Sequence, residues 1–301
     1  MKIFMTGGTG FVGTALTRRL IAAGHRVTIL TQSENDTRLR MPNLAYLIGN
    51  PTLPGEWQTA VKDHHTIINL AGASIFSRWT DEQKRILRAS RMDTTRNLVE
   101  ALPADARQIT FFSTSAVGYY GFHEDEVLTE SSPAGTDFLA RLAADWETEA
   151  LRAQVKGARV VITRFGIVLG QNGGALGQMI PLFKYFLGGP LGSGRQWFSW
   201  IHMQDLTEAF IFLLGHPEIS EAVNLCSPNP VRNKDLGRAL GRVLRRPSFL
   251  PAPAFMMELI LGEFGSVLLK GQRVIPRRLL DAGFSFVHPD IEESLTSIIH
   301  S

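Results

Sequence analysis

The sequence predicts an α/β protein in which a doubly wound parallel sheet is joined to a smaller, mostly helical C-terminal lobe. Two observations support this prediction. Up to Gly170, short apolar runs alternate with longer amphipathic stretches, which is typical of a parallel sheet covered by helices on both faces. After Gly170, glycine and aromatic residues become frequent and most of the regular segments have helical periodicity.

Seven short apolar runs are predicted as strands. In chain order they are KIFMT, HRVTILT, NLAYLIG, HTIINLAG, RQITFFSTS, ARVVITRF and a run near AVNLCS. They are rich in β-branched and aromatic residues, which favour strands. Because longer segments separate them, we expect crossover connections and therefore parallel pairing.

Helices are predicted where apolar residues recur every three or four positions. The first is FVGTALTRRLIAAG, which ends at Gly24. TDEQKRILRASRMDTTRNLVEAL follows, with Thr80 as its N-cap, and then TDFLARLAADWETEALRAQ. Further helices are predicted in MQDLTEAFIFLLGH and from Asn233 to about Leu244. We interpret FMMELILGEFGSVLLKG as an amphipathic or buried helix.

Composition narrows the classes of function. The 301-residue chain has a net charge of +3 and no dense block of Lys or Arg, which disfavours nucleic-acid binding. The single Cys226 excludes an internal disulfide and a cysteine-cluster metal site, so no metal is expected. No apolar run reaches the roughly 20 residues of a membrane helix, and the N-terminus lacks the order of a signal peptide. We therefore expect a cytoplasmic protein with neither nucleic acid nor membrane as a partner.

Glycines separate the first predicted strand from the first predicted helix. In TGGTGFVG, Gly7, Gly10 and Gly13 recur every three residues. Bare glycine backbone lets a pyrophosphate approach, and the helix N-terminus supplies N–H groups and the positive end of a dipole. This context predicts a Rossmann-type dinucleotide-binding domain. The alternative is a glycine-rich turn without a ligand; a Walker loop is excluded because no Gly-Lys-Ser/Thr follows.

Several motifs resemble those of the extended short-chain dehydrogenase/reductases. TGGTGFVG is similar to their TGxxGxxG loop, NLAG at 69–72 to their NxAG motif, and WIHMQD at 200–205 to their YIHVxD segment. SRMDTT, SAVGYYG, DWE, TRFGIVLG, GGPLGSGRQWFSWIH and GQRVIPRRLLDAGFSF narrow the resemblance to one subfamily. Its members are labelled NAD(P)-dependent nucleoside-diphosphate-sugar epimerase-like proteins and carry an added C-terminal region of unassigned function.

This resemblance implies a division of the chain. Residues 1–170, with 200–226 returning to them, would form the NADP-binding Rossmann domain. Residues 171–199 and 227–301 would form the substrate lobe, which includes the subfamily's C-terminal region at about 248–298.

The resemblance also implies cofactor contacts. Those expected at the pyrophosphate, the adenosine and the nicotinamide are Gly7, Gly10, Phe11, Val12, Gly13, Leu70, Ala71, Arg91 and Val168. For Arg91 the alternative is an ordinary charge on a helix surface.

The end of the second strand bears on the choice of cofactor. NAD enzymes usually place an acidic residue there for the ribose 2′-hydroxyl, but this strand ends with Thr31 and Gln32 and no acid precedes Glu34. The subfamily usually has Arg where Gln32 stands, so Arg38 or Arg40 would have to supply charge to a 2′-phosphate, unless both are solvated loop residues. We expect NADP(H) to be preferred, with NAD(H) as the alternative.

The catalytic pattern of the family is incomplete. Ser115 occupies the expected serine position, but Leu139 and Ala143 stand where the resemblance places the Tyr and Lys of Tyr-x-x-x-Lys, and the sequence has no other such pair. Tyr119 and Tyr120 are the phenols nearest to Ser115. We therefore predict Ser115, Tyr119 and Tyr120 as catalytic residues, with packing or ligand contact as the alternative role for the tyrosines.

Two classes of function remain open. The first is an oxidoreductase or epimerase that acts on a small carbonyl, hydroxyl or sugar-like substrate with a rearranged acid/base. The second is an NADP(H)-binding redox sensor or scaffold with little catalysis. Phe198 stands where nucleotide-sugar epimerases commonly carry an Arg for the diphosphate, although Arg195 is close. The expected partner is an unidentified small molecule, and the expected state is a monomer or homodimer.

Overall fold

The strands and helices follow the order that the sequence predicts. The computed structural model describes residues 1–36 and 39–300. The strands are β1 (Lys2–Thr6), β2 (Arg26–Thr31), β3 (Leu44–Ile48), β4 (Thr66–Asn69), β5 (Thr110–Ala116), β6 (Val127–Leu128), β7 (Arg159–Phe165), β8 (Ile167–Leu169), β9 (Trp197–Phe198), β10 (Trp200–His202), β11 (Glu221–Leu225), β12 (Val231–Arg232) and β13 (Arg273–Val274). The α-helices are α1 (Phe11–Ala22), α2 (Asp81–Ala101), α3 (Phe138–Leu151), α4 (Gly174–Lys184), α5 (Met203–Gly215), α6 (Asn233–Leu244), α7 (Ala254–Leu261), α8 (Glu263–Leu268), α9 (Arg277–Asp281) and α10 (Ile291–His300).

A seven-stranded parallel sheet forms the centre of the protein. Its order is β3-β2-β1-β4-β5-β7-β11, so each of the seven predicted strands lies in it. The chain builds outward from β1 in both directions, which creates a switch point between β1 and β4. Ligands of open α/β sheets bind beyond the carboxyl ends of the strands at such a point. The α/β prediction is confirmed.

Helices cover both faces of this sheet, because side chains alternate along each strand. On one face, Met5 packs with Leu16 of α1 and Phe210 of α5. On the other face, Phe4 packs with Leu98 of α2. The two apolar layers fix the positions of the strand ends that carry the candidate site.

The smaller lobe is mostly helical. Helices α4, α6 and α10 share an apolar cluster around Trp200 and Leu240. The predicted helix from Asn233 to about Leu244 is confirmed with those bounds. The predicted cap of α2 is also confirmed, since the Thr80 hydroxyl accepts a hydrogen bond from the Gln83 amide at 3.2 Å.

The segment FMMELILGEFGSVLLKG is not one helix. Gly262 ends α7 and begins α8 with φ +61° and ψ −139°, a backbone conformation that favours glycine. The break lets α8 fold back closely, because a Cβ on Gly265 would lie 2.2 Å from the Met257 carbonyl oxygen. None of the residues of α7 is buried, whereas Phe264 and Gly265 of α8 are, so of the two alternatives, an amphipathic or a buried helix, the second is wrong for α7. Within residues 1–36 and 39–300, no helix combines the length and apolarity needed to cross a bilayer.

Candidate functional site

The loop between β1 and α1 packs its glycines against the end of β4. Gly7 has φ +70°, and a Cβ on it would lie 2.7 Å from the carbonyl carbon of Leu70. A Cβ on Gly13 would lie 2.1 Å from the Gly7 oxygen. Gly10 differs, because it is exposed and a Cβ there would meet only the Gly7 oxygen, at 3.3 Å. Packing within the loop therefore requires Gly7 and Gly13, whereas Gly10 borders open space.

Among the described residues, no side chain accepts a hydrogen bond from the backbone N–H groups at the N-terminus of α1. Gly10 is the N-cap, no side chain caps the helix, and the first turn contains no acidic residue. First-turn N–H groups have no partner within a helix, and the dipole places partial positive charge there. The arrangement suits a phosphate group of a ligand.

Phe11 and Val168 come together although they are far apart in the chain. A Cβ on Gly174 would lie 2.8 Å from the Phe11 ring and 3.0 Å from the Val168 oxygen, so all three positions are neighbours. Val12, Leu70 and Val168 are half-buried and pack against the same apolar core. Predicted cofactor contacts from three separate segments thus lie around one region.

Asn69 and Arg91 hold the loop after β4. The Asn69 amide oxygen accepts from the Thr6 hydroxyl at 2.7 Å and from the Ala71 amide at 3.4 Å. Arg91 donates to the Ala73 carbonyl at 3.2 Å and to the Leu87 carbonyl at 3.0 Å. These bonds fix the backbone at Leu70 and Ala71, where the cofactor is expected.

Arg91 is a poorly hydrated cation. Burial lowers the pKa of its guanidinium to about 10. It forms no ion pair with any carboxylate among residues 1–36 and 39–300, and its charge is offset only by carbonyl oxygens and the Trp146 ring at 5.3 Å. A largely desolvated cation without an anionic partner favours an anionic ligand beside it.

A carboxylate from the turn after β2 lies beside the end of that strand. The Asp36 carboxylate lies 3.5 Å from the Thr31 hydroxyl, although five residues separate them. Gln32 is exposed and donates to the Asn50 side chain at 3.2 Å. Arg40 lies beside edge strand β3, where it lines an open depression of about 440 Å³. Arg38 lies outside the described residues.

Ser115 belongs to a buried ionic network. The residue is 1% exposed, and its hydroxyl donates to the Glu147 carboxylate at 2.6 Å. Glu147 in turn accepts two hydrogen bonds from Arg164, at 2.7 and 2.8 Å. The following residue, Ala116, is exposed but has no hydroxyl. In this arrangement the Ser115 proton is engaged inside the protein.

The two neighbouring tyrosines differ in their surroundings. Tyr120 is fully buried, donates to Asn224 at 2.7 Å and accepts from Arg164 at 2.9 Å. Burial raises the pKa of the Tyr120 phenol well above its usual value, which disfavours it as a proton carrier near neutral pH. Tyr119 is half-buried with Arg164 against its ring at 3.5 Å, and its hydroxyl bonds to no other described residue.

Helix α3 presents apolar side chains near the end of β5. A Cβ on Gly118 would lie 3.7 Å from the Leu139 Cβ, which places Leu139 beside the turn after β5. Ala143 is buried, and Leu139 packs into a cluster with Trp79 and Phe264. Neither residue can transfer a proton.

The sequence interpretation missed four residues, namely Asn69, Glu147, Arg164 and Asp36. An arginine inside the buried-type run VVITRF and a glutamate in DWE were visible signals, because buried charges require partners. Asp36 gave no signal, since only the turn after β2 brings it to Thr31.

The WIHMQD segment anchors the C-terminal region. The Asp205 carboxylate accepts from the amides of Val287 and His288 at 2.7 and 3.0 Å. His202 is buried and its ring lies 3.9 Å from that of His288. Burial, with a smaller contribution from His288, lowers the pKa of His202 to about 4. Both side chains are thus engaged in packing the C-terminal tail.

A comparison with known proteins gives the family. Residues 3–226 match the NAD dependent epimerase/dehydratase family. The chain belongs to this family. Residues 252–298 match a domain of unknown function, DUF1731, which confirms the resemblance seen in the C-terminal region.

Full-length relatives support the assignment. The epimerase family protein SDR39U1 homolog, chloroplastic, of Arabidopsis thaliana is 41% identical over 99% of this chain and 87% of its own length. The epimerase family protein YfhF of Bacillus subtilis (strain 168) is 37% identical over 99% and 98%, respectively. Both of these epimerase family proteins align with the sheet and with the C-terminal region of this chain.

Among solved structures, the crystal structure of human epimerase family protein SDR39U1 (isoform2) with NADPH is similar over the whole of both chains. It is 32% identical, with a TM-score of 0.87. A UDP-galactose 4-epimerase structure has a TM-score of 0.77 over 99% of this chain and 97% of its own, but only 19% identity, so this likeness shows the fold alone.

Proposed function

We propose that this epimerase-family protein binds NADP(H) in preference to NAD(H) and acts as an oxidoreductase or epimerase on a small carbonyl, hydroxyl or sugar-like substrate. The observation that carries the proposal is the geometry around the loop after β4: Gly7 packs against Leu70, and Arg91, which has no carboxylate partner among the described residues, lies against Gly72. The relative crystallised with NADPH supports the choice of cofactor.

The residues present fit such a cofactor. The first-turn amides of Phe11, Val12 and Gly13, together with Arg91, would hold the pyrophosphate, and the absence of a side chain on Gly10 leaves room for it. The backbone at Leu70 and Ala71 would line the adenosine side. Thr31 and Gln32 would meet the adenosine ribose, and Val168 would meet the nicotinamide.

A side chain of the protein would have to donate the proton for the reaction. NADPH, when bound, supplies a hydride, and reduction of a carbonyl also needs a proton at the oxygen. Tyr119 is the candidate donor, because its hydroxyl has no hydrogen-bond partner among the described residues, whereas those of Ser115 and Tyr120 are engaged. Ser115 would then serve to keep Glu147 and Arg164 in place beneath Tyr119.

A second candidate is an NADP(H)-binding redox sensor or scaffold with weak catalysis. It is favoured by the apolar residues Leu139 and Ala143 at the positions that carry the proton-transfer pair in the family. The prediction of a cytoplasmic monomer or homodimer and the division into a Rossmann domain and a substrate lobe are retained as part of the proposal.

Isothermal titration with NADPH, NADP⁺, NADH and NAD⁺ tests the cofactor. We expect tighter binding of the phosphorylated pair, and NAD(H) binding about tenfold tighter, or about 1.4 kcal/mol, would overturn the preference.

Hydride exchange with added carbonyl compounds separates the two candidates. For an enzyme, Tyr119→Phe should slow turnover by about 10²-fold with NADPH affinity retained, while Tyr185→Phe, at an exposed tyrosine, should not. An inert parent that gains carbonyl reduction in the double variant Leu139→Tyr, Ala143→Lys would instead favour the sensor or scaffold.

A further inference from the structure

Exposed apolar side chains are concentrated in one part of the surface. Among the described residues, ten of the twenty exposed large hydrophobic side chains lie within residues 182–187 and 249–260. Within these two segments the most exposed are Phe249 at 80%, Tyr185 at 77% and Leu259 at 74%. We call these two segments the apolar patch. Large exposed apolar patches mark interaction sites.

Backbone pairing makes the two segments neighbours. The Leu250 amide donates to the Gly188 carbonyl at 3.3 Å, and the Ala252 amide donates to the Pro190 carbonyl at 2.9 Å. The end of α4 and the start of α7 therefore emerge side by side. The patch is continuous across the junction between these two chain segments.

Helix α7 turns an apolar face outward. Phe255, Met256, Leu259 and Ile260 recur at helical spacing and are all exposed. On the inner side, Leu261 packs into the cluster formed with α8. The one charged residue of the helix, Glu258, accepts a hydrogen bond from Ser266 of α8. Glu258 is itself exposed, and it is the one charged side chain on a helix surface that is otherwise apolar.

Basic residues border the patch. Lys184, Arg245 and Arg246 are exposed, and none of them forms an ion pair within residues 1–36 and 39–300. The Arg246 guanidinium lies 5.0 Å from the Phe186 ring, at the edge of the apolar surface. Glu258 is the one acidic residue in the two segments. The border therefore carries net positive charge.

We propose that the apolar patch docks the protein on the surface of an anionic lipid bilayer. Apolar and aromatic side chains would enter the boundary between headgroups and acyl chains, while Lys184, Arg245 and Arg246 meet anionic headgroups. This is binding to a surface without spanning, and it departs from the sequence expectation of no membrane partner. It does not rest on the proposed enzymatic function.

Charge distinguishes the bilayer from a second copy of the chain. In a two-fold dimer the same patch would face itself, so six cations would meet only two Glu258 carboxylates. An anionic bilayer neutralises these cations and requires no complementary protein surface.

Flotation of the full chain with vesicles tests the proposal. We expect the protein to float with equimolar phosphatidylglycerol and phosphatidylcholine vesicles and far less with pure phosphatidylcholine. Phe255→Ser with Leu259→Ser should weaken binding by about tenfold or more. Val155→Ser with Leu53→Ser, which changes two exposed apolar residues elsewhere, should leave it unchanged.

Substitutions of the basic residues test whether charge contributes to vesicle binding. Arg245→Gln with Arg246→Gln should weaken binding to the mixed vesicles by about tenfold, whereas Arg18→Gln with Arg26→Gln, at exposed cations outside the patch, should not. NADPH titration and circular dichroism check that each variant is folded.

Two results would overturn the proposal. One is absence of flotation with mixed vesicles, or flotation that the patch variants do not weaken. The other is a wild-type dimer in sedimentation that Phe255→Ser with Leu259→Ser converts to a monomer, because the patch would then be covered by a second copy.

Discussion

The cofactor side and the proton-transfer side of the site lie at the same edge of the sheet, but they are built differently. The cofactor side consists mainly of backbone, with a tightly packed glycine loop, an uncapped helix and an open position at Gly10. The proton-transfer side depends on side chains, and there Ser115 and Tyr120 are engaged in a buried network while Leu139 and Ala143 are apolar. The two sides thus differ in what holds them together: backbone packing on one, and a buried side-chain network with apolar neighbours on the other.

The largest expected effect is on the proton-transfer side. Glu147→Ala should lower the free energy of unfolding by about 3–5 kcal/mol, because it leaves the Arg164 charge buried without its carboxylate. Urea unfolding measures it. Glu82→Ala, which removes an exposed partner of Arg85, is the matched control and should cost under about 1 kcal/mol. Equal effects of the two variants would contradict a structural role for this network.

A substitution on the cofactor side should weaken NADPH binding without unfolding the protein. Gly10→Val places a branched side chain in the open space beside the loop, and NADPH affinity should fall by about 100-fold or more, about 2.7 kcal/mol. Isothermal titration measures the loss. Gly177→Val, at a helical glycine with open space around it, should retain affinity. Unchanged binding by Gly10→Val would place the pyrophosphate elsewhere.

The stability of the protein should depend on pH through His202 of the WIHMQD segment, which packs against the C-terminal tail. The pKa of His202 is lowered to about 4 in the folded protein and is near 6.5 in an unfolded chain. Between these values the unfolded state binds more protons, so stability should fall by about 2 kcal/mol as the pH drops from about 6.5 to about 4. Urea unfolding across this window should show a smaller decline for His202→Gln. A decline as steep as that of the wild type would show that another group is responsible.

The smallest effect concerns the 2′-phosphate of NADP(H). Gln32→Arg should tighten NADPH by roughly 1 kcal/mol and leave NADH nearly unchanged, because it adds an exposed charge-assisted contact. Asp36→Asn should act in the same direction by removing the carboxylate beside Thr31. Parallel titrations with both cofactors measure the difference. Equal tightening of NADPH and NADH would show that this end of β2 does not sense the phosphate.

The sequence by itself determined the architecture and the nucleotide loop. Alternating apolar runs were sufficient to locate all seven strands of the sheet, because side-chain periodicity is a local property that burial on two faces imposes. The spacing of Gly7, Gly10 and Gly13 between strand and helix was equally local, and so was the Thr80 cap.

Only the tertiary structure decided which hydroxyls are available for chemistry. Ser115 bonds to Glu147, 32 residues away, and Tyr120 bonds to Asn224, 104 residues away. These partners depend on strand order and on the packing of α3, neither of which leaves a local pattern. The contact between Asp36 and Thr31 likewise depends on the turn that follows β2. The exposure of α7 depends on the break in the helix at Gly262. Periodicity marks which residues are apolar, but the partners of a polar group are set by long-range contacts.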